Sequence, residues 1–288
     1  MENQAEKITV VTAESRGPAS RLNPAATAKS LWNSRWLLTP LVKRQMAARY
    51  KGSHLGFLWT LLNPLALLGI YTFVFSVILQ TRWPQGQGSH SEFALALFAG
   101  LIPFNFLSET LQAAPNAVFS YRTYIRKTAF PLEILPLANL GAVLVQSLCS
   151  LCILLAGTWL IRGSIPGTVL LLALIYPPII LMCTGLAWFI AALGVYLRDT
   201  AHIVNIGLLM LFFLTPIFYP VTAVPEPYRF IAWLNPWCFI TESFRNAAVW
   251  GRPPGIGALF LAWIGAMVVC QAGYAFFTAR KKDFPDLV

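Results

Sequence analysis

The side chains able to do chemistry are few, and most stand at the edges of apolar runs. Arg49, Tyr50, Lys51 and His54 precede one run; Tyr121, Arg122, Ile125, Arg126 and Lys127 lie ahead of another; Arg280, Lys281 and Lys282 close the last. Cations clustered in this way hold a chain at a membrane surface or attract anionic groups there. Glu109 interrupts an apolar run, and Glu226, Arg229, Glu242 and Arg245 lie between two others. A charge in such a setting has a partner or a function. Glu242 and Arg245 are three apart, so on a helix they can pair.

Catalytic and metal-binding patterns are missing from the sequence. His54, His90 and His202 fall in different predicted loops, and no carboxylate pair flanks a conspicuous one. Cys149 and Cys152 form a CxxC in the middle of a long apolar run, with no His or carboxylate beside them. They read as small residues packing between helices. The expectation is no catalytic residue, no metal and no cofactor in this chain.

The elements that must position these groups are membrane helices. The chain of 288 residues is 57% hydrophobic and 11% charged, against about 25% charged in a soluble domain. A protein of 31.9 kDa has no core large enough to hide that much apolar surface, so lipid must cover it. The net charge of +10 could suggest nucleic acid, but the cations flank apolar runs rather than forming one basic face. Six apolar runs, uncharged but for Glu109 in the second and each near the ~20 residues that a membrane helix needs, place spans at about 55–80, 93–117, 134–161, 168–196, 203–219 and 255–279. Residues 230–240 are too short to span and hold Asn235-Pro236, the pattern of a re-entrant segment.

With the N-terminus inside, the cytoplasmic joints hold eleven cations, before five more in residues 1–36, against five outside. The positive-inside rule therefore places both termini in the cytoplasm. Residues 1–30, polar and without an apolar signal segment, read as a flexible cytoplasmic leader. An interfacial helix is expected at about 37–52, with Thr39 as N-cap and Pro40 at its first position. Leu37, Leu38, Leu41, Val42 and Met46 share its apolar face; Arg49 falls on that side too and needs a partner. The body would be one membrane domain over 31–282, with 283–288 a cytoplasmic tail.

Six segments in order resemble the bacterial polysaccharide ABC exporter permeases, the membrane subunits that export O-antigen, teichoic acid and related glycans. They are Arg49-Tyr50-Lys51-Gly52-Ser53-His54 with Leu62-Asn63-Pro64, Gly100-Leu101-Ile102-Pro103-Phe104-Asn105-Phe106, Ile125-Arg126-Lys127-Thr128-Ala129-Phe130-Pro131, Leu197-Arg198-Asp199-Thr200, Leu214-Thr215-Pro216-Ile217-Phe218-Tyr219-Pro220, and Leu234-Asn235-Pro236. The resemblance covers about 31–282. It implies an all-α, type-2 exporter architecture: an N-terminal interfacial helix, six membrane helices and a re-entrant hairpin between the fifth and sixth. It implies a homodimer around a channel in the bacterial inner membrane, with two copies of a separate ATPase that bind ATP and Mg. The lack of a GxxxxGK[ST] phosphate loop agrees with that division of labour. The implied cargo is a lipid-linked polysaccharide, foremost an undecaprenyl-pyrophosphate-linked O-antigen, with a teichoic-acid or capsule glycan as the alternative.

On that resemblance Tyr121, Arg122, Ile125, Arg126 and Lys127 are expected to couple to the ATPase. Arg49, Tyr50, Lys51 and His54 could meet the lipid pyrophosphate or anchor the interfacial helix. Sugar rings stack on aromatic faces, so Trp59, Tyr71, Phe75, Phe104, Asn105 and Phe106 are candidate channel contacts, although helix packing accounts for aromatics equally well. Pro216, Tyr219, Pro220, Glu242 and Arg245 would form the outer gate. Two other classes compete: an ion-coupled secondary transporter, which would show several mid-membrane charges and internal repeats, and a membrane-embedded glycosyltransferase, which would need a catalytic pair.

Overall fold

The computed structural model describes residues 24–49, 51–80, 83, 89–121 and 130–287. Every regular element in them is helical. Backbone N–H and C=O groups in lipid have no water to bond, so a chain this apolar satisfies them within helices. In order these are α1 (Pro24–Asn33), α2 (Arg35–Arg49), α3 (Trp59–Thr72, continued by a wider π turn at Phe73–Ile78), α4 (His90–Ala113), α5 (Ile134–Arg162), α6 (Leu172–Tyr196), α7 (Thr200–Leu214), α8 (Arg229–Leu234), α9 (Pro236–Arg245, continued by Asn246–Trp250), α10 (Ile256–Arg280) and α11 (Phe284–Leu287).

Five stretches are long and apolar enough to cross a membrane: Trp59–Ile78, His90–Asn116, Ile134–Arg162, Gly167–Tyr196 and Ile256–Arg280. The fifth expected span is shorter than its apolar run. α7 ends at Leu214, because Pro216 pushes Thr215 out of the helical region (φ −91°, ψ 132°). At 1.5 Å per residue α7 covers about 22 Å of a ~30 Å hydrocarbon layer.

Ion pairs close the bundle at its two ends. Glu92 opens α4 and pairs with Arg162, the last residue of α5, at 3.9 Å. At the opposite end Glu133, just ahead of α5, accepts from Lys281, just past α10, at 3.4 Å. The charges that delimit the apolar runs in sequence therefore meet in space. α6 and α10 approach most closely: a Cβ on Gly185 would fall on the Val269 carbonyl, and one on Gly273 on the Gly185 carbonyl. Such contact needs small residues at the crossing. α4 is buried along nearly its whole length, whereas α3, α7 and α10 expose broad apolar faces.

Two expectations about the N-terminal region are corrected. α2 begins at Arg35 rather than at Thr39, and Pro40 lies inside it. The start is set by the turn around Ser34, whose carbonyl accepts from the Leu37 N–H at 3.1 Å. Pro40 forfeits one backbone bond near the helix start, which the helix tolerates. Within the expected flexible leader, residues from Pro24 onward are helical, and the Gln271 amide of α10 bonds Thr27 at 3.2 Å.

Candidate functional site

α2 lies along α5, where Val42 packs over Gly141. Its last residue, Arg49, is aimed at α4. The guanidinium Nη1 is 2.7 Å from Glu109 Oε2 and 2.7 Å from Gln146 Oε1 on α5. The Gln146 amide in turn donates to Glu109 Oε1 at 3.0 Å. Arg49 and Glu109, both without a nameable partner in sequence, are each other's partner. The triad borders a small cleft of about 20 Å³, room for roughly one water, lined by Pro64, Asn105, Gln146, Ser147 and Ser150 among others. Both charged side chains stay partly open, at 26% and 30% exposure.

Near the end closed by Glu92 and Arg162, a second arginine organises a different cluster. Arg245, in the last turn of α9, is 0% exposed. Nη1 donates to Glu242 Oε2 at 2.6 Å, the helical spacing expected from sequence. Nε donates to the Ala96 carbonyl of α4 at 2.8 Å, and Nη2 to the Pro216 carbonyl at 3.0 Å. The Trp83 ring lies 4.1 Å from the guanidinium carbon, a cation–π contact. Gly100 leaves the space: a Cβ there would sit 2.6 Å from Nη2. The Asn235 amide donates to Thr215 Oγ1 at 3.0 Å, and its carbonyl caps α9 at the Trp237 N–H. Trp237 Nε1 donates to the Pro103 carbonyl at 3.3 Å. Three of the segments singled out in sequence, around Gly100–Phe106, Thr215-Pro216 and Asn235-Pro236, thus converge on Arg245.

The other expected site residues fall out as follows. Tyr121 is buried, with Gln45 donating to its hydroxyl at 3.2 Å and Arg44 5.1 Å from its ring. Within this chain it is covered by α2. Arg122, Ile125, Arg126, Lys127 and Tyr50 lie outside the described residues. Lys51 and His54 are exposed. Trp59 is exposed and donates to Ser53 at 2.9 Å. Tyr71 and Phe75 are half-buried against Phe218, at ring separations of 5.2 and 4.5 Å. Phe104 packs on Phe212 at 5.0 Å and is buried away from the cleft, whereas Asn105 and the 1%-exposed Phe106 both line it. Pro216 is buried, while Tyr219 and Pro220 are half-buried. Tyr219 donates to the Phe213 carbonyl at 2.8 Å. Glu226 and Arg229 pair in the open at 3.5 Å. Gln146 and Trp83 carry no signal in sequence that would have named them, while Gly100 and Phe218 lie in segments of the resemblance that gave neither a role of its own.

The sequence of residues 37–249 matches a known family, described as "ABC-2 type transporter". The chain belongs to the ABC-2 type transporter family. It is a membrane-embedded, multi-pass ABC-2 protein. Over 267 residues it is 28% identical to the O-antigen export system permease protein RfbA of Myxococcus xanthus, covering 90% of this chain and 98% of that protein. A Klebsiella pneumoniae protein of the same name is 26% identical over 88% of this chain and 95% of its own length. The polysialic acid transport protein KpsM of Escherichia coli is 26% identical over 84% and 92%.

Proposed function

We propose that this ABC-2 protein is the membrane subunit of an ATP-driven exporter that moves a lipid-linked polysaccharide, foremost an undecaprenyl-pyrophosphate-linked O-antigen, out of the cytoplasm. The observation that carries the reading is similarity across nearly the whole length to proteins named as O-antigen export permeases. Two copies line the channel, and two copies of a separate ATPase hydrolyse ATP with Mg at the cytoplasmic face of the inner membrane. The end holding α2 and Lys281 is the cytoplasmic one, as the cation excess favours. The α8–α9 hairpin, broken at Asn235-Pro236, dips into the outer leaflet and with Pro216, Tyr219, Pro220, Glu242 and Arg245 forms the outer gate.

Roles for single residues follow from exposure. Lys51 and His54, at the exposed start of the first long helix, face the headgroup layer and suit a pyrophosphate; Arg49 does not, since its charge is committed to Glu109. Trp59, Tyr71, Phe75 and Asn105 keep enough open surface to meet sugars. Arg122 and Arg126, with Ile125 and Lys127, contact the ATPase, and reversing both arginine charges should abolish export while leaving a folded membrane protein. Co-purification with a partner ATPase, reconstitution into vesicles and measurement of ATP-dependent glycan movement test the whole reading. Glycan movement driven by an ion gradient without an ATPase would overturn it. Similarity to the polysialic acid transport protein keeps a capsule glycan as the second reading, and supplying both glycans in that assay decides between them.

A further inference from the structure

The two arginine clusters share one element. Glu109 stands near the C-terminal end of α4, whereas Ala96, in its N-terminal half, and Gly100, at its middle, receive Arg245. Ala96 and Glu109 are thirteen residues apart, about 20 Å along a helix. Between them α4 is buried, and its one weak point, Pro103, is held by the Trp237 indole of α9. At the C-terminal end, α2 is bound both to Tyr121, through Gln45 and Arg44, and to α4, through Arg49. α2 therefore bridges the loop that begins at Tyr121 and the helix that reaches Arg245.

We propose that the Arg49–Glu109–Gln146 triad is a tie that carries displacement of α2 into α4, and through α4 to the Arg245 cluster, making Arg49 and Glu109 positioning residues for coupled export. This rests on the ATP-driven reading above. The chemistry of the triad fits a tie better than a static brace. Its bonds are all between side chains, and it is partly open to water. Gln146 offers a carbonyl to the guanidinium and an amide to the carboxylate, so it would serve equally well if the two charges changed places.

The test is the glycan exported per ATP hydrolysed by the reconstituted complex of this protein and its ATPase. E109Q should assemble and hydrolyse ATP at near the wild-type rate, yet export at least tenfold less glycan per ATP. R49E and E109R alone should behave likewise, and the swap R49E/E109R should recover at least a third of wild-type export per ATP. A purely structural role would lower assembly and hydrolysis together and leave the ratio unmoved. Wild-type export per ATP in E109Q, or a swap no better than its single variants, overturns the tie. A wild-type complex that moves glycan without hydrolysing ATP overturns the functional reading instead, and the tie with it. Should E109Q fail to assemble, the swap against R49E still decides the question.

Discussion

Arg49 and Arg245 hold opposite halves of the same helix by opposite means. Among the described residues Arg49 binds only side chains, Glu109 and Gln146, and it stays 26% exposed. Arg245 binds two backbone carbonyls within 3.0 Å, one carboxylate and one aromatic face, and is 0% exposed. Side-chain partners can rotate away and be replaced by water; carbonyls fixed in a buried backbone cannot. A guanidinium removed from water survives only where nearly all its donors are met. The same residue type therefore makes an adjustable joint in one half of α4 and a fixed one in the other.

The fixed joint should break hardest. R245A would leave a cavity against the Ala96 and Pro216 carbonyls and unpair the partly open Glu242 carboxylate, and losing the buried partner of an ion pair costs about 3–5 kcal/mol. We expect thermal unfolding in detergent at a sharply lower temperature, or no recoverable protein. R245K should fall close to it, because an ammonium cannot serve acceptors spread around a planar fork. The swap R245E/E242R should fail as well, since a carboxylate at 245 would face carbonyl oxygens. Wild-type unfolding in any of the three would remove the distinction between the joints.

G100A comes next. Its added methyl would lie 2.6 Å from Arg245 Nη2, in a site with no slack. Overpacking of this kind costs about 1–3 kcal/mol. The cost should vanish when Arg245 is already truncated, so equal costs of G100A in wild type and in R245A would show that the glycine answers to something else.

How much of this was legible in sequence differs between the joints for a physical reason. The Glu242–Arg245 pair is local: spacing of three on a helix brings the groups together whatever the fold. That Arg49 and Glu109 each needed a partner was also readable, since each charge falls on an apolar face or run. Their pairing was not, because sixty residues and two changes of direction separate them. Nor were the carbonyls of Ala96 and Pro216 readable, since a backbone acceptor carries no residue-type signature. The apolar runs located the long helices well, yet misjudged the fifth, where Pro216 ends a helix inside a run that is apolar to Tyr219. The aromatic rings of Tyr71, Phe75 and Phe104 were equally compatible with ligand stacking and packing, and here they pack on Phe212 and Phe218.

At the adjustable joint the stability effects should be small. R49A removes a partly exposed pair, for which about 1 kcal/mol or less is expected. Its unfolding temperature should stay within a few degrees of wild type while export per ATP falls. A collapse as large as that of R245A would mean that the C-terminal half of α4 is as fixed as the N-terminal half.

The smallest effect should come from salt, and it separates the joints without altering either. Ions screen exposed charges over about 10 Å at 0.1 M and about 3 Å at 1 M, and they screen buried pairs far less. The gap in unfolding temperature between wild type and E109Q measures the Arg49–Glu109 attraction, so it should shrink as salt rises over that range. The gap between wild type and E242Q measures the Arg245 attraction, and it should shrink less. Arg245 is sealed from solvent and only Glu242, at 27% side-chain exposure, touches it. Comparing the two gaps within one salt series cancels the general effect of salt on detergent and protein. Parallel loss of both gaps would mean that water reaches Arg245 as readily as Arg49, and a joint so wetted could not stay fixed while α4 moves.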